Sequence, residues 1–179
     1  MKILKILLIV LLCIIALPLI VALFIPKTYT VSVTQTINKP QNVVFDYVKL
    51  LDNQKNYSIW VMEDPNLNPE IIGTDGTVGA IQKWNSKLEN VGEGEQKITA
   101  LTNERMDVDL HFVRPFKGEA KAATIVKAIN EQSCNITSEF YSNSPYPMNL
   151  PSYLFGRKML KEAQEKNLNN LKQILESSN

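Results

Sequence analysis

The residues of this 179-residue chain that could do chemistry are few: one histidine, two cysteines and scattered carboxylates. His111 is the natural acid–base candidate, since an unperturbed imidazole titrates near pH ~6.5. It belongs to Asp107-x-Asp109-x-His111, three polar residues at every second position. On a strand such residues stand about 6.7 Å apart, whereas a metal's ligands hold their donor atoms at about 2 Å. The alternating Met106, Val108, Leu110 and Phe112 claim the other face, so the polar three are expected in water rather than around an ion. Glu93 and Glu95 flank Gly94; they would act as an acid–base pair only if burial separated their pKa values, and a Gly-rich strand entry is the simpler reading. Cys134 has no nearby histidine in sequence and reads as a small core residue. Arg105 and Arg114 would suit an anion, or else an ordinary solvated strand. Gly73, Gly76 and Gly79 lack the Lys-Ser/Thr and helix of a phosphate loop. Zinc spacing, a Gly-x-Ser-x-Gly elbow and a dinucleotide fingerprint are absent, so no catalytic residue, metal or cofactor is assigned.

The elements that must position these residues follow from periodicity. Residues 27–37 read as a strand, with Val31, Val33 and Ile37 opposite Ser32, Thr34 and Thr36. Asn38 is expected to cap a helix with Pro40 in its first turn, carrying Val43, Val44, Tyr47, Val48 and Leu51 at helical spacing. A short second helix is expected over 52–60 and a loop over 62–69. Strands are expected at 78–87, 92–101, 104–114, 117–129 and 133–142, separated by Gly, Asn, Glu and Asp clusters. Strict alternation in the third of these implies an antiparallel meander with one wet face. A helix over about 152–177 aligns Leu160, Ala163, Leu168, Leu171, Ile174 and Leu175 on one stripe. The sum is an α+β domain: a curved antiparallel sheet gripping a long C-terminal helix, with a cavity expected between them.

The first residues are of another kind. Ile6 to Ile25 carries no charge and is preceded only by Lys2 and Lys5. As a helix rising about 1.5 Å per residue, that run spans a bilayer's hydrocarbon core. Ala22-Leu23-Phe24-Ile25-Pro26 offers no small-residue cleavage site, and Leu12 before Cys13 is too large for lipoprotein processing. The chain therefore divides into a membrane anchor, 1–27, and one domain, 28–179. Two lysines before the span against Lys27 after it put the N-terminus in the cytoplasm. The domain is then extracytoplasmic, as in a bacterial inner membrane. With 19 basic and 18 acidic residues, nothing electrostatic favours nucleic acid. Cys13 in the span cannot bridge Cys134, and two Asn-x-Ser/Thr sequons, at Asn56 and Asn135, carry no weight in a bacterial cell.

Several stretches resemble the START/Bet v 1-like superfamily (SRPBCC), in particular its polyketide cyclase/dehydrase-like branch. They are Ile37-Asn38-Lys39-Pro40-Gln41-Asn42-Val43-Val44-Phe45, then Trp60, and Val78-Gly79-Ala80-Ile81-Gln82-Lys83-Trp84. Gly92-Glu93-Gly94-Glu95-Gln96-Lys97-Ile98, Leu110-His111-Phe112-Val113-Arg114-Pro115-Phe116, and Leu171, Lys172 and Glu176 follow. The likeness covers residues 28–177 and departs at Asn167, where that family often has Gly. It implies a helix-grip fold with an apolar cavity, and a superfamily of lipid carriers, receptors, cyclases and chaperone regulators. Trp60, Trp84, Leu110, Phe112, Phe140 and Leu160 are the expected cavity wall. The expected ligand is a small apolar or amphipathic molecule, a lipid or a polyketide- or isoprenoid-like compound. The alternatives are an envelope protein-interaction module without a ligand and a cyclase- or hydrolase-type enzyme. An inward His111 or a buried Glu would favour the enzyme; a cavity filled by its own rings would favour the interaction module.

Overall fold

The computed structural model describes residues 2–177; the outermost residues of the expected anchor and domain, Met1, Ser178 and Asn179, lie outside them. Helix α1 (Lys2–Ala22) carries the apolar run, and nearly all of its side chains are exposed. β1 (Thr28–Ile37) leads to α2 (Gln41–Val48), a 3-10 turn at Leu51–Asn53, and the one-turn helices α3 (Gln54–Tyr57) and α4 (Ile59–Met62). Six more strands follow: β2 (Glu70–Ile72), β3 (Ile81–Asn85), β4 (Glu93–Leu101), β5 (Arg105–Arg114), β6 (Gly118–Asn130) and β7 (Ser133–Asn143). After α5 (Asn149–Pro151) and a π-turn at Ser152–Gly156, α6 (Arg157–Ser177) closes the described chain. The strands form one antiparallel sheet in the order β1-β7-β6-β5-β4-β3-β2. This is the α+β helix-grip arrangement expected from the periodicity.

Alternation decides which face is inside. Val31 pairs with Phe140, Phe140 with Ala122, Ala122 with Val108 and Val108 with Ile98, one row across the inner face. α6 lies along β1 and β7, and α2 covers β6 and β7. Beneath them Ile37, Val126, Cys134, Ile136, Leu168, Leu171 and Leu175 make a dry core. Burial pushes the Cys134 thiol up from its ordinary pKa, which keeps it protonated and suits a packing role.

Two expectations need correction, and one short strand was not expected. Asn38 does not cap α2: Pro40 holds the cap position with no side-chain hydrogen bond, and the Asn38 backbone N–H donates instead to Glu176 Oε1 at 2.7 Å. Lys172 Nζ donates to Thr36 O at 2.9 Å, so α6 ends stitched to the turn where a local cap was expected. The strand placed at 78–87 is only Ile81–Asn85, with Val78 exposed in a turn. That turn holds left-handed glycines at 73, 76 and 79, conformations incompatible with extended strand. Finally, residues 70–72 form a short edge strand on β3.

Candidate functional site

The inner face divides into two zones along the strands. Toward the ends of β1 and α6 it is sealed. Toward the other end, where α1 enters the sheet, the floor is made of small residues between large ones. Ala120 and Ala122 of β6 lie between Leu110 and Val108 of β5 and Ser142 and Phe140 of β7. Trp84, Leu110, Phe112, Ala120, Ala122 and Phe140 are all half-buried, in contrast to the fully buried Ile98 and Val126. This stretch of the inner face is an apolar floor, covered less completely than the core. The Trp84 and Phe112 rings meet edge to face, 6.1 Å between centroids, an attractive geometry for two quadrupoles.

Of the six residues named from sequence, four (Trp84, Leu110, Phe112 and Phe140) share this stretch of sheet. Leu160 is half-buried on α6, one turn before Gln164 and two before Leu168. Trp60 is half-buried on α4, which packs on α6. The departure at Asn167 has a local reason: its Oδ1 accepts the Ile59 N–H at 2.8 Å, and Asn170 Nδ2 donates to Tyr57 O at 3.1 Å. Two asparagines on α6 therefore hold α3 and α4 in place.

Periodicity did not reveal the polar part of the inner face. Gln82 and Gln96 are buried there. Gln82 Nε2 donates to Leu51 O at 2.7 Å, and Gln96 Nε2 donates to Gln82 Oε1 and to Gln54 Oε1, each at 2.6 Å. The three amides bind β3 and β4 to the turn after α2. Gln164, on the buried stripe of α6, is different: its Oε1 is buried and has no hydrogen-bond partner among the described residues. A buried carbonyl oxygen without a donor is costly, about 1–3 kcal/mol, so it marks a place where a donor is wanted. Parity arguments could have put Gln82 and Gln96 inside, from Gln82↔Gln96↔Leu110; only the fold shows which amides find partners.

The groups with titrating or charged side chains lie elsewhere. His111 points outward, half-exposed, 3.9 Å from Glu119. Asp107 accepts from Arg105 at 2.7 Å; Glu139 stands 3.7 Å from the same guanidinium, and Tyr141 donates to Glu139. Arg114 is engaged by Glu93 at 3.0 Å, Asn85 at 2.7 Å and the Ser86 carbonyl at 3.0 Å. Neither arginine waits for an anion. An open depression of about 690 Å³ lies on this outer face, around Thr30, Lys97, His111, Lys121 and Tyr141.

Asp64 braces the chain just after β3. Its carboxylate accepts from Ser86 Oγ at 2.5 Å and from the Asn66 N–H at 3.0 Å. Those two bonds, Ser86 first, hold its pKa below the usual carboxylate value. A lowered folded-state pKa means the contribution to stability is present above the unfolded carboxyl range, near pH ~3.9, and is lost as pH falls through the folded value. Thermal melts of the full chain in lipid nanodiscs, compared between about pH 6 and pH 3, are expected to show a smaller acid-induced loss for Asp64→Asn than for the parent. Equal losses would remove this carboxylate from the account.

The chain is similar in structure to three solved proteins of this architecture. Protein MLL2253 from Mesorhizobium loti superposes with a TM-score of 0.62 at 13% identity, covering 84% of this chain and 99% of that one. Norcoclaurine synthase from Thalictrum flavum, in complex with dopamine and hydroxybenzaldehyde, gives 0.61 at 15%, covering 85% and 88%. Ara h 8.0201 gives 0.58 at 14%, covering 84% and 99%. No family model matches the chain, and no curated protein matches it. The likeness is one of fold: the chain has the Bet v 1-like, polyketide cyclase-like helix grip, preceded by an apolar N-terminal helix.

Proposed function

We propose that this helix-grip chain is a membrane-anchored binding protein that takes a small apolar or amphipathic molecule, of lipid, polyketide or isoprenoid type, into the inner-face groove. The observation that carries the reading is the incompletely covered apolar floor, Trp84, Leu110, Phe112 and Phe140 around Ala120 and Ala122; in this reading Gln164, whose buried Oε1 has no partner among the described residues, is its polar group. Apolar walls with one or two placed polar groups are the usual make-up of a small-molecule site. A ligand hydroxyl or amide would supply the missing donor. That a synthase of the same fold holds dopamine and hydroxybenzaldehyde supports a ligand site by analogy of fold only.

α1 is the anchor in this reading: 21 residues of high hydropathy, buried only at Ala22 where the domain holds its end, a length of about 31 Å. Lys2 and Lys5 keep its N-terminus cytoplasmic and the domain outside. The enzyme alternative has less support, because His111 faces out and the Asp64 carboxylate is engaged by Ser86. The ligand-free interaction module would have these rings packed as plain core, and Trp84, Phe112 and Phe140 are only partly buried.

The test is photo-crosslinking of the full chain in nanodiscs with diazirine-bearing fatty acid and isoprenoid probes, followed by peptide mapping. Adducts are expected on the peptides holding Trp84, Phe112 and Phe140, and Ala120→Phe, which fills the groove floor, is expected to abolish them. Adducts confined to α1 would sink the reading.

A further inference from the structure

The connection between α1 and the domain is not a loose tether. Asn149 is 1% exposed, and its Nδ2 donates to two backbone carbonyls, Ala22 O at 2.7 Å and Ile25 O at 2.8 Å. Ala22 O is among the carbonyls a helix leaves without internal partners at its C-terminus, and Ile25 O belongs to the segment that follows. Ala22 is itself 2% exposed, and α5 packs against α1. The domain thus grips the last turn of the helix, and only residues 23–27 separate α1 from β1.

Antiparallel pairing then fixes which parts of the domain share that level. Thr28 pairs with Asn143, Phe112 with Gly118, Glu93 with Arg114, and Asn85 with Glu93. The β3–β4 loop, the β5–β6 turn and the segment after β7 all therefore leave the sheet at the end nearest α1. Each carries exposed apolar side chains: Leu88 in the first, Phe116 (74% exposed) in the second, and Met148, Leu154 and Phe155 (73%) in the third. Lys87 and Lys117 stand beside Leu88 and Phe116. At the opposite end of the sheet the turns carry Ile72 (39% exposed), Val78 and Ile129, with no exposed aromatic among the described residues.

We infer that this edge, the tips at Leu88, Phe116 and Leu154–Phe155, is a membrane-seating surface that enters the headgroup layer of the bilayer crossed by α1. The inference rests on α1 being a membrane span, and not on the ligand of the groove. α1 is about as long as a bilayer's hydrocarbon core, so its C-terminal turn lies at the boundary with the headgroups, a layer about 5–7 Å deep on each side. Whatever grips that turn from outside lies in the same layer. Aromatic and aliphatic tips flanked by lysines suit it: the rings sit among the acyl-chain ends while the ammonium groups reach phosphates. An apolar set of this kind facing water would be a liability without a partner. The same geometry turns the Trp84–Phe112 end of the groove toward the lipid, so a ligand could pass between bilayer and groove without crossing bulk water.

The experiment reads depth. The full chain, with Cys13→Ser to leave only the buried Cys134, receives single cysteines by Phe116→Cys, Phe155→Cys, Val78→Cys or Ile129→Cys. Each is labelled with an environment-sensitive fluorophore and placed in nanodiscs of mixed zwitterionic and anionic phospholipid. Labels at 116 and 155 are expected to shift to the blue and to lose most of their emission to lipid-borne quenchers. Labels at 78 and 129 should respond only to aqueous iodide. A chain labelled at the native Cys13 reports the span itself. If Cys13 is quenched from the lipid while 116 and 155 behave like 78, the seating is overturned and the anchor stands. If Cys13 is reached by iodide, the anchor fails and the inference with it. Groove cross-linking is scored separately and is not altered by either result.

Discussion

Gly94→Val should cost this protein roughly 2–4 kcal/mol of stability and abolish ligand cross-linking at Trp84. Gly94 sits on β4 between two close neighbours. A Cβ added there would lie 2.5 Å from the carbonyl oxygen of His111 and 2.6 Å from Trp84 Cζ2. The first neighbour is backbone of the paired strand, so relief requires the β4–β5 ladder to open. The second is the indole that lies over Gly94 and forms the groove's wall with Phe112. Relief in that direction pushes the ring into the groove. Thermal unfolding should show a midpoint lowered by roughly 5–15 °C for a domain of this size. Even Gly94→Ala should show much of the effect, since the clash is with the Cβ itself. A Gly94→Ala protein with parental melting and parental cross-linking would mean that Trp84 does not rest on this glycine.

The second large effect belongs to the sealed zone. Leu171 on α6 is fully buried beside Ile37, Ile136 and Leu168 in the dry core. Leu171→Ala removes apolar atoms from a place that cannot collapse around the loss, so about 2–5 kcal/mol is expected. Leu160, three turns earlier on the same helix, is only half-buried, and Leu160→Ala should cost about 1 kcal/mol or less, in keeping with its smaller buried area. Its effect should fall instead on cross-linking in the groove. Paired melts and cross-linking of the two variants therefore test whether the inner face really has two zones. Equal destabilisation by both substitutions would say that α6 seals the sheet along its whole length.

Much of this was legible from residue order, because the signals are local. Alternation in Met106 to Phe112 sets β5 and its buried face, and the spacing of Ala163, Leu168, Leu171 and Leu175 sets the grip helix. The unbroken apolar run sets α1. Four of the proposed wall residues fall on one stretch of the inner face because parity along a strand survives folding, whatever the partner. The outward direction of Asp107, Asp109 and His111 follows from the same parity. Where the reading failed, the placement of an element end was at stake: α2 starts only at Gln41, and the strand expected over 78–87 is cut to Ile81–Asn85 after a turn of left-handed glycines. Asn38 has the chemistry of a helix cap but stands two residues before the cap position at Pro40, and its backbone N–H donates to Glu176, 138 residues away.

Sequence by itself thus determined the fold class, the membrane-length helix and the sidedness of each strand, since these depend on the periods of single segments. Tertiary structure alone decided which segments meet. Asn149 reaches carbonyls 127 and 124 residues away, and Gln54, Gln82 and Gln96 converge from three elements. Gln164 is left without a donor. How far α6 covers the sheet was equally out of reach, and with it the line between core and groove. Those outcomes turn on register, helix placement and the competition among donors for each acceptor, quantities that exist only once distant parts of the chain are packed together.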